Sequence, residues 1–186
     1  NLVPLQRKCI KGNILGFGIG TSMNYSFEVN VGLLKNSWTK PKAINNISID
    51  MLFRCRFLHG INEFNDIPFS EDFIEFYRIS NGAYLFEDVI YGQWGLILLD
   101  LYFIEVKTQE FMHDYRDDFI FGDYIIGEFL GDNDLLLLRL DETKEDYGSI
   151  IVVNRMDSRE EWKKVERNFR NFIVNFAINE GQKYWE

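Results

Sequence analysis

Apolar residues along the chain recur at two periods, and the period predicts the element in each segment. YSFEVNVGLL (25–34) alternates and then turns apolar, which predicts a strand, and 36–46, with Pro41 inside it, reads as loop. Between 47 and 58, Ile47, Ile49, Met51, Phe53, Cys55 and Phe57 take every second position, with Ser48, Asp50, Arg54 and Arg56 between them, so a second strand is predicted. The period changes after Pro68. Ser70 stands where an N-cap belongs, Glu71 and Asp72 suit the positive end of a helix dipole, and Phe73, Phe76 and Tyr77 share one face. Phe69 and Ile74 have the spacing of a hydrophobic staple, while Asn81 and Gly82 tolerate the left-handed backbone that ends a helix. A short helix over 70–80 is the result.

Two strands are predicted next, 83–91 and 95–106, parted by Gly92 to Gly95. LILLDLYFIEV is apolar on nearly both faces at first, as in a central strand covered by helices. EFMHDYRDDF (110–119) is a polar or helical excursion, and FIFGDYIIGEFL, NDLLLLRL and GSIIVVN supply two or three further strands with turns near Gly122, Gly131 and Gly148. At the end, Ser158 and Glu161 have capping-box spacing. Trp162, Val165, Phe169, Phe172, Ile173 and Phe176 then recur at helical intervals up to Gly181, which predicts one closing helix. Many short strands between helices, without βαβ alternation, indicate an α+β fold: a predominantly antiparallel sheet flanked by helices in a single domain.

PFSEDFIEFYRISNGAYLFEDVIYGQWGLIL (68–98) resembles the SUKH superfamily, specifically its Smi/Knr-like branch, in which a Pro…Asp-φ-x-x-Phe…x-x-Asn-Gly pattern (φ apolar) precedes an aromatic strand. IIGEFLGDNDLLLLRLDE (125–142), DYGSIIVVNR (146–155) and NFRNFIVNF (168–176) are similar to that family's later blocks in order and spacing. The likeness covers roughly residues 64 to 180 and does not extend to residues 1–60. It implies the same α+β fold and, for bacterial members, a toxin-immunity protein. The fungal branch implies the alternative of a non-enzymatic regulatory scaffold that binds endogenous signalling proteins.

Composition adds scale and sign. A chain of 186 residues buries on the order of 70% of its unfolded surface, enough for one sizeable core. Cys9 and Cys55 lack Cys-x-x-Cys spacing and read as reduced thiols of a cytoplasmic protein; no run approaches the ~20 apolar residues of a membrane span, and no signal-peptide pattern is seen. Charge is segregated. Residues 1–60 hold eight Lys or Arg against two Asp or Glu, 61–150 hold five against twenty-one, and 151–186 hold seven against six, or +6, −16 and +1 within the net −9. Such a middle field repels nucleic acid and anionic lipid and favours a basic protein partner. The glycine-rich first 22 residues, followed by Met23, read as a non-native or flexible leader, so the domain is taken as 23–186. GFGIG (16–20) precedes strand-like residues and lacks the context of a phosphate loop.

No catalytic constellation emerges. His59 and His113 come without a nucleophile or ligand spacing, and no Gly-x-Ser-x-Gly elbow or phosphate loop occurs, so neither an enzyme nor a cofactor is expected. Asp132-Asn133-Asp134 opens like a calcium loop but lacks its later Gly and Glu, and reads as a polar turn; no metal is expected. Trp94, between Gly92 and Gly95, can lie as a lid on the core or stand out as an aromatic anchor beside acid. The expected partner is a cognate, basic protein toxin, with no nucleic acid and no membrane. The residues expected to meet it are Glu87, Asp88, Trp94, Asp114, Asp117, Asp118, Asp132 and Asp134.

Overall fold

A computed structural model of the chain describes residues 27–44, 50–115 and 117–186. The expected leader 1–22, Met23, Cys9 and the start of the 47–58 segment lie outside the described residues. Seven strands form one antiparallel sheet in sequential order: β1 (Phe53–Phe57), β2 (Ala83–Asp88), β3 (Leu96–Leu98), β4 (Asp123–Phe129), β5 (Asp134–Arg139), β6 (Ile150–Asn154) and β7 (Lys163–Glu166). Among the described residues four helices accompany them, α1 (Phe27–Ser37) before β1, α2 (Glu71–Ile79) and α3 (Leu101–Asp114) between strands, and α4 (Phe169–Ile178) after β7. The fold is α+β, as the alternation of periods predicts.

The helices divide between the two faces of the sheet. Glu128 and Phe129 are consecutive in β4 and therefore point to opposite faces. Phe129 meets Phe176 of α4, with ring centroids 6.3 Å apart, while Glu128 takes an ion pair from Lys107 of α3 at 3.0 Å. So α3 lies on one face, and α4 lies on the other together with α1 and α2, which pack against it and each other. The core between them is aromatic: Phe69, Phe73 and Tyr77 stack at 4.4 and 4.0 Å, and Phe169 and Phe172 are fully buried. The buried Tyr77 hydroxyl donates to the Leu99 carbonyl at 2.6 Å, and burial pushes its pKa well up. Burial likewise pushes the Cys55 thiol up to about 12.

Tertiary pairing overrides the local pattern in three segments. The expected strand at 25–34 is α1 from Phe27 onward. Phe27, Val31, Leu34 and Trp38 are buried at helical spacing, a face hidden beneath the alternation of Glu28 and Asn30. The expected strand at 95–106 ends at Leu98. Asp100 caps α3, its carboxylate accepting from the Phe103 amide at 2.9 Å, and Ile104, Thr108 and Phe111 form the buried face. The expected single closing helix is split. Ser158 and Glu161 do pair, but they head one 3₁₀ turn, Arg159–Glu161; Lys163–Glu166 then pairs with β6 as an edge strand, and Asn168 caps α4 by accepting from the Asn171 amide at 2.8 Å. β6 is buried and needs a ladder partner on that side, which a helix could not supply.

Smaller adjustments occur at the best-predicted helix. The Ser70 hydroxyl does not cap α2; it donates to Asp72, whose carboxylate accepts from the Phe73 amide. The helix ends at Ile79, and Asn81 has a longer reach than a stop signal needs: its side-chain oxygen accepts from the Leu101 amide at 3.1 Å, tying the end of α2 to the start of α3. The predicted 47–58 strand is confined, within the described residues, to β1.

Candidate functional site

Two hairpin tips and the C-terminal segment meet at one end of the sheet. In the β2–β3 turn, the Asp88 carboxylate accepts from the amides of Ile90 and Tyr91 at 2.9 and 3.1 Å, and the Asp88 amide donates to the Trp94 carbonyl at 3.0 Å. In the β4–β5 turn, Asp132 accepts from the Asp134 amide at 2.9 Å, the side-chain-to-backbone bond of an Asx turn. Gly131, at φ +84°, presses on the Gln93 carbonyl so closely that a Cβ could not fit, and the Leu130 amide donates to Gly95 at 2.9 Å. After α4, Gly181 at φ +80° lies flat against the Phe86 ring, again leaving no room for a Cβ, and turns the following residues back over the hairpins.

These three segments enclose a cavity of about 350 Å³. Trp94, Phe129 and Leu130 supply its apolar walls, and Asp132, Lys183 and Glu186 its charged ones. Lys183 Nζ donates to Asp132 at 2.7 Å and to Asp134, lies 3.7 Å from Glu186, and sits 4.8 Å from the Phe129 ring centroid. Burial works against its charge, but the hydrogen bonds to Asp132 and Asp134 outweigh it and raise its pKa above the ordinary lysine value. Asn154 completes the array by donating to Asp134 at 3.1 Å. Tyr184 donates to Glu166 at 2.9 Å and Trp185 packs on Phe129 and Phe176, so the C-terminal wall is anchored in the core.

The eight residues expected at a partner surface fall into three groups. Trp94 and Asp132 line the cavity, and Asp134 joins them through Lys183. Trp94 is half-buried, edge-on to Phe53 at 6.5 Å, so it is at once packed on the core and open to the cavity. Glu87 and Asp88 end β2, and both are engaged internally. Glu87 binds Arg54 at 3.2 Å and Arg56 at 2.8 Å, and the hydrogen bond from Arg56, against the opposing effect of burial, holds its carboxyl below the ordinary value. Asp88 is 1% exposed and is a turn cap rather than a surface acid. Asp114, Asp117 and Asp118 lie at the end of α3 and just after it, and none of them lines the cavity. Asp114 and Asp117 are exposed, whereas Asp118 is half-buried and accepts from the Arg159 amide at 3.0 Å.

Lys183, Phe129 and Glu186 escape sequence reasoning. The spacing of Asp132 and Asp134 announces two carboxylates in one turn, but the cation between them comes from 51 and 49 residues away. Among the described residues, no group of His, Cys, Asp or Glu is arranged to hold a metal, and no helix is long and apolar enough to cross a membrane. What the arrangement offers chemically is recognition: an aromatic wall, fixed carboxylates and a preformed hollow. Residues 58–175 match the model of the SMI1 / KNR4 family (SUKH-1). No curated protein and no solved structure matches the chain significantly.

Proposed function

Because the chain belongs to the SMI1 / KNR4 family (SUKH-1), a family generally associated with toxin immunity, we propose that it is an immunity protein that binds and neutralises a cognate polymorphic toxin. The toxin on this reading is basic and acts on nucleic acid, as a nuclease or a related modifying domain, and is blocked by masking of its active site or substrate groove. The observation that carries the basic partner is the −16 charge of residues 61–150 within a chain of net −9. Part of that charge stays at the surface, where Asp114 and Asp117 are exposed, and large aromatics are exposed as well, Tyr102 at 69% and Phe121 at 83%. Exposed acids and exposed aromatic side chains are both of use to an interface of ordinary size, about 800 Å² per partner.

Binding, not catalysis, is the activity proposed. Co-expression with the cognate toxin domain tests it, scored by growth and by co-purification against an unrelated toxin. Selective rescue with a stable complex is the expected result. Failure of both rescue and complex formation would remove the immunity reading.

A further inference from the structure

We infer that the cavity beside Trp94 is a seat for one basic side chain, an arginine or a lysine, presented by a partner protein. The identity of that partner rests on the immunity reading; the recognition chemistry belongs to the cavity itself. Its charged groups are out of balance. Among the described residues, the charged groups of its lining are the carboxylates of Asp132 and Glu186 and one ammonium, Lys183, and that ammonium is shared with Asp134 behind it, so the wall carries an excess of negative charge.

Lys183 also shows what these walls hold. Its ammonium lies 4.8 Å from the Phe129 ring centroid while two carboxylates accept hydrogen bonds from it, which is the combination of ring quadrupole and charge-assisted hydrogen bonds that recognises a cation. A second cation entering the hollow meets Trp94, and an indole is the strongest of the aromatic partners for such a group. Size narrows the occupant. At about 350 Å³ the half-open hollow has room for one long side chain. The close glycine contacts at Gly131 and Gly181 hold the walls in place before anything binds, so little ordering is needed on entry. Lys183 and Glu186 lie outside residues 58–175, the span matched to the family.

The test follows the Trp94 indole N–H resonance of the isotope-labelled full chain, assigned by Trp94→Phe, during titration with N-acetyl-arginine amide. A saturable shift at millimolar concentration is expected, with N-acetyl-citrulline amide, the uncharged analogue, at least about tenfold weaker, a difference of one logarithmic unit in affinity. Asp132→Asn should weaken the arginine effect several-fold with the rest of the spectrum unchanged, and Glu186→Gln provides the same check from an exposed position should Asp132→Asn fail to fold. Equal shifts with arginine and citrulline, or no shift with either, would overturn the seat. Tighter binding of agmatine than of the capped arginine would overturn its assignment to a protein side chain in favour of a free amine. Growth rescue is read separately: rescue with a silent Trp94 rejects the seat alone, and arginine binding without rescue rejects the immunity reading alone.

Discussion

At Glu87 a carboxylate that the sequence offers to a partner is taken up by Arg54 and Arg56 of the neighbouring strand. The geometry depends on a bulge. Phe86 adopts φ +51° and donates its amide to Cys55 Sγ at 3.3 Å, the ladder register shifts between Arg54 and Arg56, and the extra residue lets Glu87 reach both arginines while Arg56 lies over the Tyr84 ring. The folded carboxyl is held below its ordinary value, so its stabilising contribution is present above the unfolded pKa near 4.3 and is lost as pH falls through the folded one. Glu87→Gln should cost about 1 kcal/mol in urea unfolding at pH 7, the partners being partly exposed, and the gap to the parent should close below about pH 4. A gap unchanged at pH 3 would contradict this account. The sequence shows the acid but not its arginines, because the bulge that aligns them is a property of two paired strands.

α3 illustrates the same limit for an element. LILLDLYFIEV is apolar enough to satisfy either period, and the decision falls to Asp100, whose capping bond starts the helix, and to β4, on which the helix packs. Asp100→Ala should destabilise the protein by about 1 kcal/mol and speed hydrogen exchange selectively at the amides of the first turn of α3, Phe103 included. Exchange unaltered in that turn would mean that Asn81, which also caps it, suffices. α2 was legible in place and apolar face, though not in its Ser70 cap, because that face and its flanking acids agree, whereas α1, the end of β3 and β7 were not, since each carries a pattern that two elements could use. In β7 the charged Lys163 and Lys164 suit an edge strand, which is where they stand.

Over the whole molecule, charge is the quantity that survives folding. Much of the acid is engaged internally, by Arg139 and Arg159 at Asp123 and by Lys183 at Asp132 and Asp134, yet pairing only neutralises locally and leaves the net −9 acting at long range. If the partner is the basic toxin proposed above, association should slow by tenfold or more between about 0.05 and 0.5 M salt in stopped-flow measurements, with dissociation little changed. An association rate indifferent to salt would remove the electrostatic part of the mechanism. The sequence by itself determined the fold class, the elements α2, β2, β4, β5 and β6 in outline, and the sign of the field, because periodicity and charge are summed over neighbouring positions. Tertiary structure alone decided which acids remain free, where Trp94 faces and that Lys183 stands between Asp132 and Asp134, because those outcomes depend on contacts between residues tens of positions apart, and a local pattern contains no information about which distant group arrives to fill a site.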